Sequence, residues 1–294
     1  MTVDSAPETA LPVLPLPVLG SLSPSRAGDF MTCPLLFRFR TIDRLPSLPS
    51  PAATRGTVVH SVLERLFELP APERTPDTAR ALLRPEWERL VEAEPEVASL
   101  FVDEAELSAW LTSAEELLQG YFSLEDPTRV LVSEREQYVE VVLPGGLRLR
   151  GIIDRLDVAP TGAVRLVDYK TGRAPREAFE GKALFQMKFY ALVLWRTTGT
   201  IPALLQLMYL GDRAILRYSP EESDLLAVER KLLALWEAIE KATQLQEFRP
   251  RRSRLCDWCD HQALCPEFGG TPPPFPTVVP GPDEPLPEQR VEPG

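Results

Sequence analysis

Three strand-like segments divided by two proline–glycine turns limit what this chain can fold into. The runs TRVLVSEREQYVEVVL and LRLRGIIDRLDVA, residues 128–143 and 147–159, are separated by a PGG turn. A third run, AVRLVDYKTG, residues 163–172, follows a PTG turn. Segments rich in β-branched residues and bounded by such turns predict three antiparallel strands.

Helical periodicity lies on both sides of these strands. A short helix beginning near LSPSRAG leads to Cys33, and RGTVVHSVLERLFEL places apolar residues at helical spacing. Residues 76–122 predict two or three acidic amphipathic helices, with Pro85 and Pro95 near their boundaries. After the strands, KALFQMKFYALVLWRTTG predicts a helix that stops at Gly199. A strand pair at 202–219 and a long helix at 220–245 complete an α/β core, a mixed sheet flanked by helices with a helical insertion.

The ends of the chain differ in composition from its middle. Residues 1–20 and 271–294 are proline-rich and predict disordered tails. Between them, residues 21–270 predict one domain, with an acidic helical insertion at 68–126 and a cysteine-rich region at 249–268. No apolar run approaches the roughly 18–20 residues that span a bilayer. Prolines interrupt the apolar stretches of the N-terminus, which argues against a secretory signal, so we expect a soluble cytoplasmic protein.

The net charge of −11 is unevenly distributed. The insertion contains 15 acidic and 4 basic residues, which leaves the segments around the strands mildly basic. A basic lobe beside an acidic one is compatible with a nucleic-acid groove. A solvated acidic helical face accounts equally well for the insertion.

A carboxylate and a lysine share one face of the third strand. Because side chains alternate along a strand, Asp168 and Lys170 point the same way. If the turn closes with Val158 opposite Val164, antiparallel pairing brings Asp154 opposite Asp168, while Asp157 points away. Two converging carboxylates suit Mg²⁺ or Mn²⁺, and such a site beside a lysine suits phosphodiester hydrolysis. The strands alone do not distinguish this site from cross-strand ion pairs on a solvated sheet face.

Neighbouring motifs favour the catalytic interpretation. RGTVVHSVLE, GIIDRLD, DYKTG and QMKFYAL occur in this order and together resemble the RecB-type nucleases of the PD-(D/E)XK superfamily. The resemblance covers about residues 21–270 and implies a restriction-endonuclease-like core. It also implies a metal-dependent DNA exonuclease that acts on single-stranded or end-containing DNA in repair or recombination.

The resemblance assigns a role to each matching residue. The implied metal ligands are His60, Asp154, Asp168 and the backbone carbonyl of Tyr169, the implied catalytic lysine is Lys170, and the residues expected to contact nucleic acid are Gln186, Tyr190 and Arg55. We also considered Glu134 as a supporting carboxylate. Ordinary structural roles remain open for several of these: a core histidine, a packed tyrosine and a solvent-exposed arginine.

Four cysteines form the second candidate site. Cys256, Cys259 and Cys265 lie in CDWCDHQALCP, and Cys33 lies far upstream. This spacing in a cytosolic protein favours metal binding over disulfides, with Zn²⁺ and a [4Fe–4S] cluster both open. The pattern resembles the iron–sulfur staple of CRISPR-associated RecB-like nucleases and AddB-type subunits, which implies a [4Fe–4S] cluster of structural function. We expect His261 to be a solvated loop residue.

Basic residues precede this triplet. FRPRRSRLC contributes four arginines that could bind phosphate, or form a merely soluble surface. We considered Trp258 as a base-stacking residue but expected it to be a core residue covering the cluster.

Two other functions fit the same residues. The chain could be a DNA-end-binding subunit of a larger helicase–nuclease complex, with the proline-rich tails docking the partner. It could also be an endonuclease, which cuts closed-circular DNA. For the exonuclease and for both of these alternatives, we expect DNA to be the partner.

Overall fold

The computed structural model describes residues 20–175 and 180–276, leaving aside the side chains of Glu180 and Lys182. Seven α-helices and five β-strands occur in these ranges. The helices are α1 (Pro24–Thr32), α2 (Pro34–Phe37), α3 (Pro51–Glu68), α4 (Pro76–Ala93), α5 (Glu104–Leu124), α6 (Glu180–Thr198) and α7 (Glu222–Leu245). The strands are β1 (Val132–Val142), β2 (Arg148–Val158), β3 (Val164–Lys170), β4 (Leu204–Tyr209) and β5 (Ala214–Tyr218).

The strands form one mixed sheet in the order β1-β2-β3-β4-β5. The first three are antiparallel, as the two turns predicted, and β4 and β5 form the predicted strand pair, which is also antiparallel. β3 and β4 are parallel, because α6 carries the chain back between them. The expected α/β architecture with a mixed sheet is therefore confirmed.

Local signals fix the helix ends. Ser23 and Ser50 accept hydrogen bonds from backbone N–H groups of the first turns of α1 and α3, and a proline follows each serine. Gly199, at φ 74°, lies just past α6 in the left-handed region that glycine adopts readily. Ser23 and Gly199 lie where the sequence predicted helix boundaries, whereas α3 begins at Pro51, four residues before the RGTVV run that was expected to start it.

The sheet separates two hydrophobic cores. One core lies between the sheet and α1, α2, α6 and α7; the other lies between the sheet and α3, α4 and α5. β3 contributes alternately to both, since Leu166 packs in the first core and Val167 and Tyr169 pack in the second. The two cores therefore pack against β3 from both faces of the sheet.

The predicted helix boundary at Pro85 is wrong. Pro85 lies inside α4, whereas Pro95 does mark a boundary and starts a short 3₁₀ turn. Leu83 and Trp87, on either side of Pro85, are buried against α3 and α5, and this burial keeps the helix continuous through the proline. Tertiary packing here outweighs the local cost of a proline.

Both ends of the described chain pack on the domain. Leu22 forms a parallel bridge with Leu149 on β2. Near the other end, the ring of Phe275 stacks on Phe248 at a centroid distance of 6.1 Å. The start of the predicted C-terminal tail is thus packed, and the remainder of both predicted tails lies outside the described residues. The division into domain and tails stays a prediction.

Within residues 20–175 and 180–276, the helices lack the length and apolar character needed to cross a bilayer. The finding agrees with the short apolar runs of the sequence.

Close packing of α5 on the sheet gives a test of the fold. A Cβ at Gly120 would lie 2.0 Å from the carbonyl oxygen of Leu210, whereas a Cβ at Gly28 in α1 would meet nothing within 4 Å. We expect Gly120→Ala to lower the free energy of unfolding by about 1–3 kcal/mol, because a backbone atom must move. Gly28→Ala should be neutral or stabilising by up to about 1 kcal/mol, since alanine favours a helix. Urea denaturation measures both, and equal effects would contradict the packing.

Candidate active site and cysteine cluster

Asp154 lies where the pairing of β2 with β3 stops. The pairing opens with Val158 opposite Val164, as expected, and its register places Asp154 opposite Asp168. The last recorded pair is one residue short of Asp154. Instead, the backbone N–H of Tyr169 donates to Asp154 Oδ2 at 2.8 Å, so a carboxylate replaces a strand carbonyl. This hydrogen bond, at the end of the β2–β3 pairing, therefore fixes the carboxylate of Asp154, the first acidic group of the site.

Glu136 supplies a second carboxylate from the neighbouring strand. The register of β1 with β2 places it opposite Asp154, and its φ of 41° is left-handed. Arg135, which donates to the carbonyl of Phe67 at 3.5 Å, also faces α3, so the alternation of side chains is broken here. The carboxylate of this strand in the site is thus Glu136, and Glu134, the residue we had considered, is exposed.

His60 reaches the same point from α3. Its Nδ1 is 3.4 Å from Asp154 Oδ2, and its Nε2 is 3.0 Å from the carbonyl oxygen of Tyr169. One ligand atom each from His60, Glu136 and Asp154 can be chosen within 4.8 Å of one another. Among the described residues, that grouping contains Glu136 in place of the expected Asp168.

Asp168 and Lys170 form a buried pair beside this grouping. Asp168 is only 2% exposed, and its Oδ2 lies 2.7 Å from Lys170 Nζ. Burial and the charge of Asp154 raise the pKa of Asp168 against the opposing pull of the lysine. Burial opposes the charge on Lys170, but the two aspartates raise its pKa, so it is an ammonium at neutral pH. Ion pairs on a solvated sheet face do not describe such a buried pair.

Two residues of α6 orient the lysine. Lys170 Nζ donates to Gln186 Oε1 at 2.9 Å, and Gln186 Nε2 donates to the hydroxyl of Tyr190 at 3.3 Å. Tyr190 is buried, and its ring lies against Gly151, where a Cβ would be 2.6 Å from the ring. Contact of this pair with nucleic acid stays a prediction; its visible task is to hold the ammonium in place.

Arg55 joins two helices at the edge of the site. Its Nη1 donates to the hydroxyl of Ser113 at 3.0 Å, which connects α3 with α5. The expected contact of Arg55 with phosphate stays a prediction.

A buried ion network supports the far side of Tyr169. Arg155, 1% exposed, donates to the Tyr169 hydroxyl at 2.7 Å and pairs with Glu125 at 2.7 Å and Asp157 at 3.1 Å. Asp157 points away from the site, as the parity of the strand predicted, and it also pairs with Arg165. The network fixes the ring of Tyr169 while its backbone carbonyl faces His60.

The donor set fits a divalent cation. Burial, together with the charges of Asp154, Glu64 and Asp168, raises the pKa of Glu136 to about 8. Oxygen ligands from carboxylates suit Mg²⁺ or Mn²⁺, and an imidazole is more typical of the transition metals. Carboxylates that oppose one another's ionisation are stabilised when a cation lies between them.

This electrostatic arrangement predicts how stability depends on pH when the cation is removed. The pKa of Glu136 is raised from 4.5 to about 8, so the folded state binds the proton more tightly than the unfolded state. Stability therefore falls as pH rises from about 4.5 to 8. We expect the melting temperature of the chelator-treated protein to fall by several degrees over this range.

Glu136→Gln should flatten this dependence, and added Mn²⁺ should reverse it for the unsubstituted protein. Differential scanning calorimetry at several pH values measures both effects. Glu134→Gln, on the same strand but exposed, serves as the control. An unchanged pH profile in Glu136→Gln would show that another group titrates.

The four cysteines converge on a second site. They are free and together line one cavity between α2 and the C-terminal 3₁₀ turns. Backbone N–H groups of Arg251 and Ser253 donate to the sulfurs of Cys33 and Cys256, both at 3.3 Å. Burial raises the pKa of the Cys265 thiol, and the charges of the other three cysteines add to it. The four sulfurs share one cavity, but among the described residues no three of them form a grouping within 4.8 Å, so a metal centre here stays a prediction.

Two expectations about this region are wrong. His261 is buried at 4% exposure, because its ring packs edge-on against Phe39 at a centroid distance of 5.4 Å. Burial lowers the pKa of His261, and the residue is not among those lining the cysteine cavity. Trp258 is 84% exposed and covers no core, because the short turn between Cys256 and Cys259 directs it outwards.

Comparisons with known proteins agree with this geometry. A family model described as the PD-(D/E)XK nuclease superfamily matches residues 21–266. The Gene 69 protein of Mycobacterium phage D29 is 24% identical over 271 residues, covering 84% of this chain and 96% of the phage protein. The crystal structure of a "Putative exonuclease" from Eubacterium rectale superposes with a TM-score of 0.56 at 16% identity, covering 83% of this chain and 88% of the other. At that identity the superposition shows a shared fold.

Proposed function

Because the chain belongs to the PD-(D/E)XK nuclease superfamily, we propose that it is a Mg²⁺- or Mn²⁺-dependent DNA exonuclease of the RecB type. We propose single-stranded or end-containing DNA as its substrate and repair or recombination as its setting. The convergence of His60, Asp154 and the Asp168–Lys170 pair at the end of β3 supports this function most directly. The solved structure with the same fold bears the name of an exonuclease, which favours that activity over other members of the superfamily.

Each residue then has a chemical task. His60, Glu136, Asp154, Asp168 and the carbonyl of Tyr169 are the candidate ligands for the cation. A divalent cation held there supplies Lewis-acid activation of the phosphodiester. Lys170, an ammonium positioned by Asp168 and Gln186, stabilises the negative charge that develops on the phosphoryl oxygens and orients the attacking water.

A nuclease assay with two DNA substrates tests the proposed function. We expect end-labelled single strands to be degraded from an end in Mn²⁺ or Mg²⁺, and no cleavage with a chelator. Closed-circular single-stranded DNA should resist, since an exonuclease needs an end. Cutting of the circle would replace the exonuclease with an endonuclease. Binding of ends without cleavage would favour a subunit that works with a helicase partner.

We also propose that the four cysteines hold a [4Fe–4S] cluster, with Zn²⁺ as the alternative occupant. The convergence of four free sulfurs on one cavity supports a metal centre, and the resemblance to iron–sulfur nucleases favours iron. The cluster would join the start of the domain to its end. Iron and sulfide analysis of anaerobically purified protein, with an absorption spectrum, distinguishes the two occupants.

A further inference from the structure

The chain beyond Lys170 runs beside the turn that joins β4 to β5. This turn spans residues 210–213, and the backbone N–H of Leu210 donates to the carbonyl of Lys170 at 2.9 Å. A Cβ at Gly211 would lie 3.9 Å from the carbonyl oxygen of Thr171. Because β3 and β4 are parallel, both segments leave the sheet at the edge where the candidate active site lies.

Further contacts hold these two segments in place. The backbone N–H of Ala174 donates to Asp212 Oδ2 at 2.6 Å, which ties the loop after β3 to the turn. On the α3 side, a Cβ at Gly56 would lie 3.3 Å from Thr171 Oγ1, so the same loop also packs on this helix. The backbone of the loop and of the turn is therefore fixed relative to the candidate catalytic groups.

Each segment presents an arginine that the described chain leaves without a partner. Arg173, in the loop after β3, and Arg213, in the turn, are both exposed. Neither forms a hydrogen bond or an ion pair with the part of the chain that the structure describes. Other arginines near this edge are occupied, since Arg55 donates to a serine of α5 and Arg217 donates to a buried glutamine of β4. Two guanidinium groups therefore face solvent with their donors unused by the described residues.

Both arginines lie close to the candidate catalytic groups. Arg173 is three residues beyond Lys170, so their Cα atoms are at most about 11 Å apart. Arg213 is two residues beyond Gly211, at most about 7 Å, and Gly211 adjoins Thr171. The carboxylates of the candidate metal site repel a polyanion, and positive charge at the edge of the site offsets that repulsion.

We propose that Arg173 and Arg213, the arginine rim, bind backbone phosphates of the DNA strand next to the scissile phosphodiester. A guanidinium fork matches the geometry of phosphate, and such contacts read no bases, so the rim holds a strand of any sequence. The phosphates that it binds do not react, so the rim contributes to substrate binding and leaves the chemical step to Lys170 and the cation. The inference rests on the proposed function and adds two substrate-binding residues outside the candidate catalytic set.

Binding measured without cleavage tests the rim. We would place Arg173→Gln and Arg213→Gln separately in a Lys170→Ala background and measure fluorescence anisotropy with oligothymidylates of about 4 and about 15 nucleotides. Each substitution should weaken binding about tenfold and lower the slope of log affinity against log salt by about 0.7, the value for one lost phosphate contact on a single strand. Both strand lengths should be affected, because the rim lies next to the scissile phosphodiester.

Kinetics of the cleaving protein separate binding from chemistry. With Lys170 in place, each rim variant should raise KM and keep kcat within about twofold, since the lost contact is equal in the ground state and the transition state. Arg129→Gln provides a matched control, because Arg129 is also exposed but precedes β1, at the end of the sheet opposite Lys170. This variant should keep the parental KM, affinity and salt slope.

Three results would overturn the rim. They are parental affinity in both rim variants, an equal loss of salt slope in Arg129→Gln, and a loss of affinity confined to the longer strand. Because both rim side chains are exposed, the variants should keep the parental melting temperature, which shows that they are folded. A protein that cleaves DNA while both rim variants bind normally loses only the rim, whereas one that neither binds nor cleaves DNA loses the proposed nuclease as well.

Discussion

Replacing Lys170 with alanine should lower kcat for DNA hydrolysis by at least about 100-fold, the range for loss of one charge-stabilising donor. The ammonium lies 2.7 Å from Asp168 and is held by Gln186, so no other described cation occupies this position. Its loss should appear in kcat more than in KM, because the charge it stabilises develops in the transition state. Single-turnover release of nucleotides from end-labelled DNA measures the effect.

Matched variants separate chemistry from folding. Lys241→Ala removes an exposed lysine of α7 and should leave the rate unchanged. Gln186→Ala should have an intermediate effect, about tenfold, because the ammonium keeps its charge but loses one of its two positioning contacts. Equal hydrolysis by the wild-type and Lys170→Ala proteins would show that a contaminating nuclease is responsible and that the assignment is wrong.

If the four cysteines hold a metal centre, as we propose, replacing Cys33 with serine should abolish metal binding and lower the melting temperature by on the order of 10 °C. Cys33 and the triplet that ends at Cys265 line one cavity although more than 200 residues separate them. A link across so long a loop restricts the unfolded chain strongly. Metal content and thermal denaturation under anaerobic conditions measure the two losses together.

The double variant Cys33→Ser/Cys256→Ser provides the control. Under the proposal that both sulfurs bind the same metal centre, the second substitution should add little to the first. Additive losses of stability would indicate two independent buried thiols. An unchanged melting temperature in Cys33→Ser, with metal retained, would exclude that cysteine from the centre.

Much of the fold followed from local signals in the sequence. The PTG turn sets the register of β2 with β3 that brings Asp154 opposite Asp168, and the structure has that register. Gly199 ends α6 where the periodicity stops. The continuity of α4 through Pro85 was beyond such reasoning, because it depends on packing against two other helices.

The candidate site was less predictable where the backbone departs from regular geometry. Glu136 has a left-handed φ and lies where the regular alternation of side chains along β1 is broken. Counting across the PGG turn, from the Leu143–Leu147 hydrogen bond, does place Glu136 opposite Asp154, so a signal was present. Trp258 was expected to be buried and is exposed, whereas His261 was expected to be solvated and is buried. Burial near short 3₁₀ turns depends on partners that are distant in sequence, such as Phe39 for His261.

The meeting of the chain ends has a consequence for how the protein is made. The first helices contact residues near the C-terminal end of the described chain: Arg38 donates to the carbonyl of Pro273, and Phe37 stacks on Phe248 at 6.3 Å. While a ribosome is still translating the domain, α1 and α2 therefore lack a large part of the surface that covers them. The domain closes only after residue 275 has left the exit tunnel, so a nascent nuclease should remain incomplete, and exposed to chaperones, until this region has been both translated and released from the tunnel.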